Sequence, residues 1–247
     1  MNTAYSIMTV DDSRAQRKKA IRAAVDLPEI TDISWVDARR KVVAWRELEK
    51  RPWFKIKWRL TWGELGVWLS AVTAWEYLLE SDLDALIVFE DDAIIEPTFN
   101  DGIKKYLEEL PDDWDAVSLF VPENQRGDYY YNVTFNSTGD AVSYRRGNKR
   151  FHDSIYRIGD GLLCRTYQGY CNVAMMYSKS GAQKLLDLTK ELGSYTPVDC
   201  FVFQMANLRR INAYSPHPRQ EFHVSYPWNE SPTLVHDGNW FFERGTK

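Results

Sequence analysis

Three carboxylates stand side by side in this chain, Glu90-Asp91-Asp92, directly after the apolar run Ala85-Leu-Ile-Val-Phe89. Carboxylates packed this closely repel one another unless a cation or hydrogen-bond donors offset their charge. Oxygen-only donors suit Mg2+ or Mn2+, so a divalent cation is the natural partner of such a cluster. An acidic strand end that is merely solvated is the competing reading. A second feature is basic: from Arg39 to Arg59 there are nine Lys/Arg against two acids, Glu47 and Glu49, a local +7 in a chain of net charge −4. The remainder carries −11. Trp45, Trp53 and Trp58 lie inside that stretch. Lys55, Lys57, Trp58 and Arg59 form a candidate binding group, because cations track phosphates while exposed rings stack on bases or sugars. A solvated basic loop is the plainer alternative.

The elements that would position these residues follow an α/β pattern. Tyr5 to Val10 reads as a first strand, and Asp11-Asp12-Ser13 can cap a helix from Arg14 to about Val25. Ile33 to Val36 is a candidate second strand, and 39–59, broken by Pro52, has no clean period and reads as irregular with some helix. Thr61 and Glu64 have capping-box spacing, and Leu65, Trp68, Leu69, Val72, Trp75 and Leu79 then recur at helical intervals. Ala85 to Phe89 is continuously apolar, which predicts a strand buried on both faces. A helix from Thr98 with Ile103, Tyr106, Leu107 and Leu110 inward, a strand from Asp115 to Phe120, a polar excursion over 122–168 of which 122–153 reads as an excursion or hairpin, a strand from Val173 to Tyr177, a helix capped by Ser178, a helical stretch from Pro197 and a strand from Ile211 to Tyr214 complete the order. The Pro-rich tail, 216–247, is expected to be mostly loop. No repeat or composition break divides the chain, so residues 1–247 are expected to form one domain.

With 247 residues, 44% hydrophobic and 27% charged, the composition excludes wholesale disorder, collagen-like repeats and coiled coil. No apolar run approaches the ~20 residues of a membrane span, and MNTAYSIMTVDD lacks the basic and apolar regions of a secretory leader, so a cytoplasmic location is expected. Cys164, Cys171 and Cys200 lack the spacing of a zinc ribbon or a disulfide framework and read as small buried thiols. No obligate protein partner is evident.

Five ordered blocks of the sequence resemble glycosyltransferase family 25, the lipooligosaccharide and collagen galactosyltransferase group. They are Ile7-Met-Thr-Val-Asp-Asp-Ser-Arg14 with Arg17; Leu60 to Ser70 with Trp75; Ala85 to Asp92; Asp113-Trp-Asp-Ala-Val-Ser-Leu119; and Tyr170 to Leu186 followed by Pro197-Val-Asp199. Val36-Asp37-Ala38 is similar to a further strand end of the family. Val67 and Ala71 stand where the family typically has cysteine and histidine, and 122–168 and the tail match nothing in its pattern.

The resemblance implies a single GT-A type, Rossmann-like domain with a mixed, mostly parallel sheet flanked by helices, a UDP-linked nucleotide-sugar donor, a divalent metal and inversion at the anomeric carbon. On that reading Asp92 holds the metal with Asp91, and Glu90 and Asp91 also touch the donor. Thr9, Val10, Arg14 and Arg17, at the end of the first strand, bind the nucleotide, since arginine pairs well with a diphosphate. Asp199 is the first candidate for the base that deprotonates the acceptor hydroxyl and Asp115 the second, although a lone Asp at a helix start commonly caps it. His223, with His217 and His236, is a candidate extra metal ligand from the tail. The acceptor is a saccharide of lipopolysaccharide type or a hydroxymethylated base in phage DNA, the latter placing the protein in the host cytoplasm. A catalytically inactive nucleic-acid- or glycan-binding protein on a transferase fold is the alternative.

Overall fold

The first strand, β1 (Thr3–Met8), lies parallel to β2 (Ala85–Glu90), in register from Thr3 opposite Ala85 to Met8 opposite Glu90. Between them the chain forms α1 (Ala15–Ala24), α2 (Lys41–Lys50) and α3 (Trp62–Glu80). After β2 come β3 (Ile94–Ile95), α4 (Phe99–Glu109), β4 (Ala116–Ser118), β5 (Tyr131–Phe135), β6 (Ala141–Arg146) and β7 (Leu163–Arg165). The order ends with β8 (Ala174–Ser178), α5 (Lys179–Leu192), α6 (Val198–Asn207), β9 (Ala213–Pro216) and β10 (Val224–Ser225). This is a computed structural model, and it describes residues 1–9, 15–30, 41–57, 60–120, 131–135, 141–146, 162–166, 171–216 and 222–227. The strand expected over Ile33 to Val36 lies outside the described residues.

Six strands form the central sheet in the order β1-β2-β8-β4-β9-β7. β1, β2, β4 and β9 run one way, while β8, between β2 and β4, and β7, at the margin, run against them. Two small antiparallel pairs accompany the sheet, β10 with β3 and β5 with β6; the second is the hairpin expected in the polar excursion.

Helices cover both faces, which is why β2 tolerates an unbroken apolar run. Leu86 and Val88 join one core with Trp68, Trp75, Leu185 and Phe201 from α3, α5 and α6. Ala85, Ile87 and Phe89 point the other way, into a core with Ile21 of α1 and Phe99, Ile103 and Tyr106 of α4. Strand alternation thus feeds two cores rather than one core and solvent. On α3 the capping box is formed as predicted: Thr61 Oγ1 accepts the Glu64 N–H at 3.1 Å and Glu64 returns to the Thr61 N–H at 2.6 Å. Its rings interlock edge to face, Trp68 with Trp75 and with Phe201 of α6. Buried rings of this size supply about 1.5–3 kcal/mol each, or more, from area alone.

At the opposite edge Ser178 caps α5 through the Gly181 N–H, 3.0 Å away. Gly181 is there for space, since a Cβ at that position would collide with the Asp115 backbone carbonyl. The stretch 39–59 holds more helix than its aperiodic sequence suggests, because α2 packs on α3 through Arg51. The Arg51 guanidinium meets Glu47 at 2.8 Å and Glu76 at 2.5 Å and donates to Thr73 at 3.1 Å. Among the described residues no helix is long and apolar enough to cross a membrane.

Candidate active site

The carboxyl ends of β1 and β2 lie side by side, and the acidic turn begins there. The Asp91 N–H donates to the Met8 carbonyl at 3.0 Å, carrying the strand pairing one residue further, and the Ala93 N–H closes on the Glu90 carbonyl at 3.0 Å. Asp91 and Asp92 are buried and Glu90 is half-buried. Thr9 donates its hydroxyl to Asp91 Oδ2 at 3.0 Å. These placements follow from β2 ending in a tight turn, which folds the second and third carboxylates back over the sheet edge instead of leaving them in solvent.

Because β8 runs against β2, its start reaches this same edge. The Glu90 N–H donates to the Val173 carbonyl at 2.8 Å, and the Cys171 N–H donates to Asp199 Oδ2 at 2.7 Å. Asp199 sits in the first turn of α6, where its other oxygen accepts the Cys200 N–H at 2.8 Å. A carboxylate is favoured at a helix start, where the N–H groups and the helix dipole are positive. α6 is held against α3 by the Trp68 indole N–H, which donates to the Thr196 carbonyl at 2.9 Å, and by the Trp68–Phe201 ring contact at 5.0 Å. The acidic end of β2, the start of β8 and the start of α6 therefore converge.

Two thiols at this place are held protonated, by burial first and by the neighbouring carboxylates next. Burial, then the charges of Glu90, Asp199 and Cys200, pushes Cys171 up to about 12. Cys200 is pushed up to about 11 by burial first and by Asp199 next, with Glu64 adding to it. Tyr177 is raised as well, by burial first, with smaller contributions from Asp199 and Glu90. Glu90 and Asp199 are thus electrostatic neighbours of one thiol, a relationship the spacing of three unrelated cysteines did not suggest.

Other sequence-selected residues are elsewhere. Asp115, the second candidate base, precedes β4, which runs parallel to β2, so it lies at the edge opposite Glu90. Its fully buried carboxylate takes Lys184 Nζ at 2.8 Å on both oxygens, the Ser180 hydroxyl at 3.2 Å and the Asn212 N–H at 2.8 Å. His223, the candidate extra ligand, has its Nδ1 2.8 Å from Thr98 Oγ1, and its ring lies against Gly102 and Tyr106 of α4. With them it lines a cavity of about 210 Å3 that no member of the acidic turn borders. Arg17 is half-buried in the first turn of α1, past the end of β1.

In the basic stretch, Lys55 and Lys57 are exposed, and their backbone pairs with Ser194, shortly before Asp199. Lys50 and Arg51 pair with Glu47, already subtracted in the +7, and Arg51 also pairs with Glu76 of α3, which offsets one further charge. Val10, Arg14, Trp58, Arg59, His217 and His236 lie outside the described residues. Among the described residues no three of His, Cys, Asp and Glu gather closely enough to enclose a metal by themselves.

Comparison with known proteins adds to this geometry. Procollagen galactosyltransferase 1 of Danio rerio is 25% identical over 190 residues, which is 75% of this chain and 27% of that one. The protein of Bos taurus named "Probable inactive glycosyltransferase 25 family member 3" is 26% identical over 196 residues, 76% of this chain and 28% of its own length. The chain therefore spans little more than a quarter of these relatives. Among solved structures, A197 from STIV superposes over 88% of this chain and 83% of its own, with a TM-score of 0.41 and 14% identity. The sequence pattern of glycosyltransferase family 25 (LPS biosynthesis protein) matches residues 13–202, from the first helix through the acidic turn to the start of α6, and this chain belongs to that family.

Proposed function

We propose that the chain transfers a sugar from a UDP-linked donor to a hydroxyl of a saccharide acceptor, with inversion at the anomeric carbon and with a bound Mn2+ or Mg2+. The observation that supports this most is the meeting of Glu90, Asp91 and Asp92 with Asp199 at one sheet edge of a family 25 domain.

The donor set fits a magnesium-like cation of the kind held by one or two carboxylates plus substrate phosphates and water, rather than one enclosed by protein. Glu90 and Asp92 would supply those carboxylates, while Asp91 is fixed by Thr9. When bound, the cation offsets the charge that develops on the departing diphosphate. Asp199 takes the proton of the acceptor hydroxyl; each of its oxygens already accepts one backbone N–H and keeps lone pairs for that proton. The hydroxyl oxygen bonds to the anomeric carbon as the bond to the diphosphate oxygen breaks, and the electron pair leaves with the diphosphate. Thr9 and Arg17 take the nucleotide side of this edge on this reading, the role that the sequence also suggests for Val10 and Arg14.

A saccharide acceptor is favoured over DNA because Lys50 and Arg51 are internally paired, leaving fewer cations to track phosphates. The bovine relative's name motivates a second reading, a binding protein without turnover. Calorimetry with a panel of nucleotide sugars and Mn2+, then mass-shift assays on oligosaccharides and on hydroxymethylated DNA, tests both. Transfer to oligosaccharide is expected. Donor binding with no hydrolysis or transfer would leave the binding-protein reading, and labelling of DNA alone would overturn the saccharide assignment.

A further inference from the structure

Among the described residues two that are not glycine have a left-handed backbone, Arg209 (φ 57°) and Cys171 (φ 74°). Arg209 has an ordinary reason. It follows the end of α6, and its N–H and that of Arg210 return to the carbonyls of Ala206 and Met205, a closure that commonly ends a helix. Among the described residues no helix leads into Cys171, which stands just ahead of β8. Side chains other than Gly, Asn and Asp seldom adopt this conformation, because Cβ crowds a backbone oxygen. Backbone held against that preference persists only where its surroundings impose it.

What Cys171 gains is the bond from its N–H to Asp199 Oδ2, 2.7 Å long. Two residues later the Val173 carbonyl accepts the Glu90 N–H at 2.8 Å. Residues 171–173 thus form a short bridge with one end on the acidic terminus of β2 and the other on the carboxylate of α6. Without the Cys171 bond, Asp199 would still be held through Oδ1 by the Cys200 N–H of its own helix, but its rotation would no longer be referred to β2.

We propose that Cys171 is a positioning residue: its left-handed backbone aims its amide at Asp199 and fixes that carboxylate relative to the acidic end of β2. The inference rests on the reading of Asp199 as the base. Its chemistry lies in the backbone, so the thiol is dispensable and the conformation is not.

Three variants of the full chain separate the two. Cys171→Gly and Cys171→Asn keep the N–H and tolerate positive φ, whereas Cys171→Val, branched at Cβ, does not. The Gly and Asn variants are expected to keep kcat within about threefold, and the Val variant to lose about 10- to 100-fold in kcat at a donor KM within about twofold. That is the scale of loss when a reacting group is misplaced by about 1 Å. Amide hydrogen exchange at residue 171 gives a readout independent of turnover. Protection is expected in the wild type and in the Gly and Asn variants, and its loss is expected in Cys171→Val and in Asp199→Ala. Thermal melts check that the Val variant is folded at the assay temperature; if it is not, Cys171→Ala takes its place, with a smaller loss of the same kind. A Val variant with wild-type kcat, or a Gly variant as slow as Val while its amide stays protected, would overturn the proposal. If the wild type turns over no donor while the exchange pattern holds, the functional reading fails and the Cys171–Asp199 contact stands.

Discussion

Thr9 donates its hydroxyl to Asp91 across 3.0 Å, a buried bond that ties the ends of β1 and β2 together. One of the three adjacent carboxylates is thereby a structural tie between the two strand ends; under the proposed function, Glu90 and Asp92 are the ones to test as cation ligands.

Asp92→Asn is accordingly expected to lower sugar transfer and donor hydrolysis by at least about 100-fold while leaving the melting temperature within a few degrees, because the loss concerns charge in the transition state. Asp199→Asn should lower kcat by about 10²–10⁴ with donor affinity nearly unchanged, as removal of a general base does. Initial rates beside donor calorimetry distinguish the two. Equal losses of rate and donor affinity in Asp199→Asn would remove it as the base.

Asp115→Asn should do the reverse. Its carboxylate is fully buried under Lys184, whose own side chain is 44% exposed and can rehydrate. The loss is therefore that of charge-assisted hydrogen bonds, about 2–3 kcal/mol, read as a lower urea midpoint. Turnover at low temperature should stay within about twofold, because the residue is at the far edge of the sheet. Gly181→Ala is expected to be destabilising at the same place.

The thiols give a readout of the acidic edge. With Cys171 pushed up to about 12 and Cys200 to about 11 from an ordinary 9.0, alkylation by iodoacetamide at neutral pH should be at least about 100-fold slower than for a free cysteine. Asp199→Asn should quicken both, and so should Mn2+ if a cation settles by Glu90. Peptide mass spectrometry over a time course measures this, and alkylation at the rate of a free cysteine would show that the thiols are not in so negative a place.

A separate pH effect resides in α2. Burial alone would raise the Glu47 pKa, but hydrogen bonds and charge from Lys50 and Arg51 outweigh it and hold the group below its ordinary 4.5. A carboxylate depressed in the folded state stabilises fully above its unfolded pKa and loses that stabilisation as pH falls through the lower folded value. Urea midpoints should therefore fall below about pH 4.5, and Glu47→Gln should remove that part of the decline. Arg51→Ala is expected to cost about 3 kcal/mol, since it leaves Glu47 buried without its guanidinium.

Local signals were legible. The Thr61–Glu64 capping box, the Ser178 cap and the doubly buried β2 could all be read because each is decided within a few residues. The acidic turn was readable as a cluster, whereas Thr9 as the partner of Asp91 was not, since 82 positions separate them. The place of Asp115 was not legible, because residue type tells nothing of which end of a strand a side chain occupies; preceding a strand parallel to β2 puts it at the edge opposite Glu90. Charge counting over 39–59 could not see Arg51 turn inward to Glu76 on another helix. Cys171 carried no signal, because cysteine is not a residue type that announces a left-handed backbone.

The reversed direction of β7 has a consequence for how this domain can vary. β4 ends toward the acidic edge, and β7, antiparallel to β9, starts there, with Leu163 opposite Pro216. The N–H groups of Leu162 and Leu163 are anchored on the Glu109 carboxylate at the end of α4. The segment between Phe120 and Leu162 therefore departs from and returns to the same rim, both of its attachment points fixed by elements outside it. Such a stretch can lengthen, shorten or be replaced without disturbing a strand of the central sheet, while the acidic turn and its supports stay as they are.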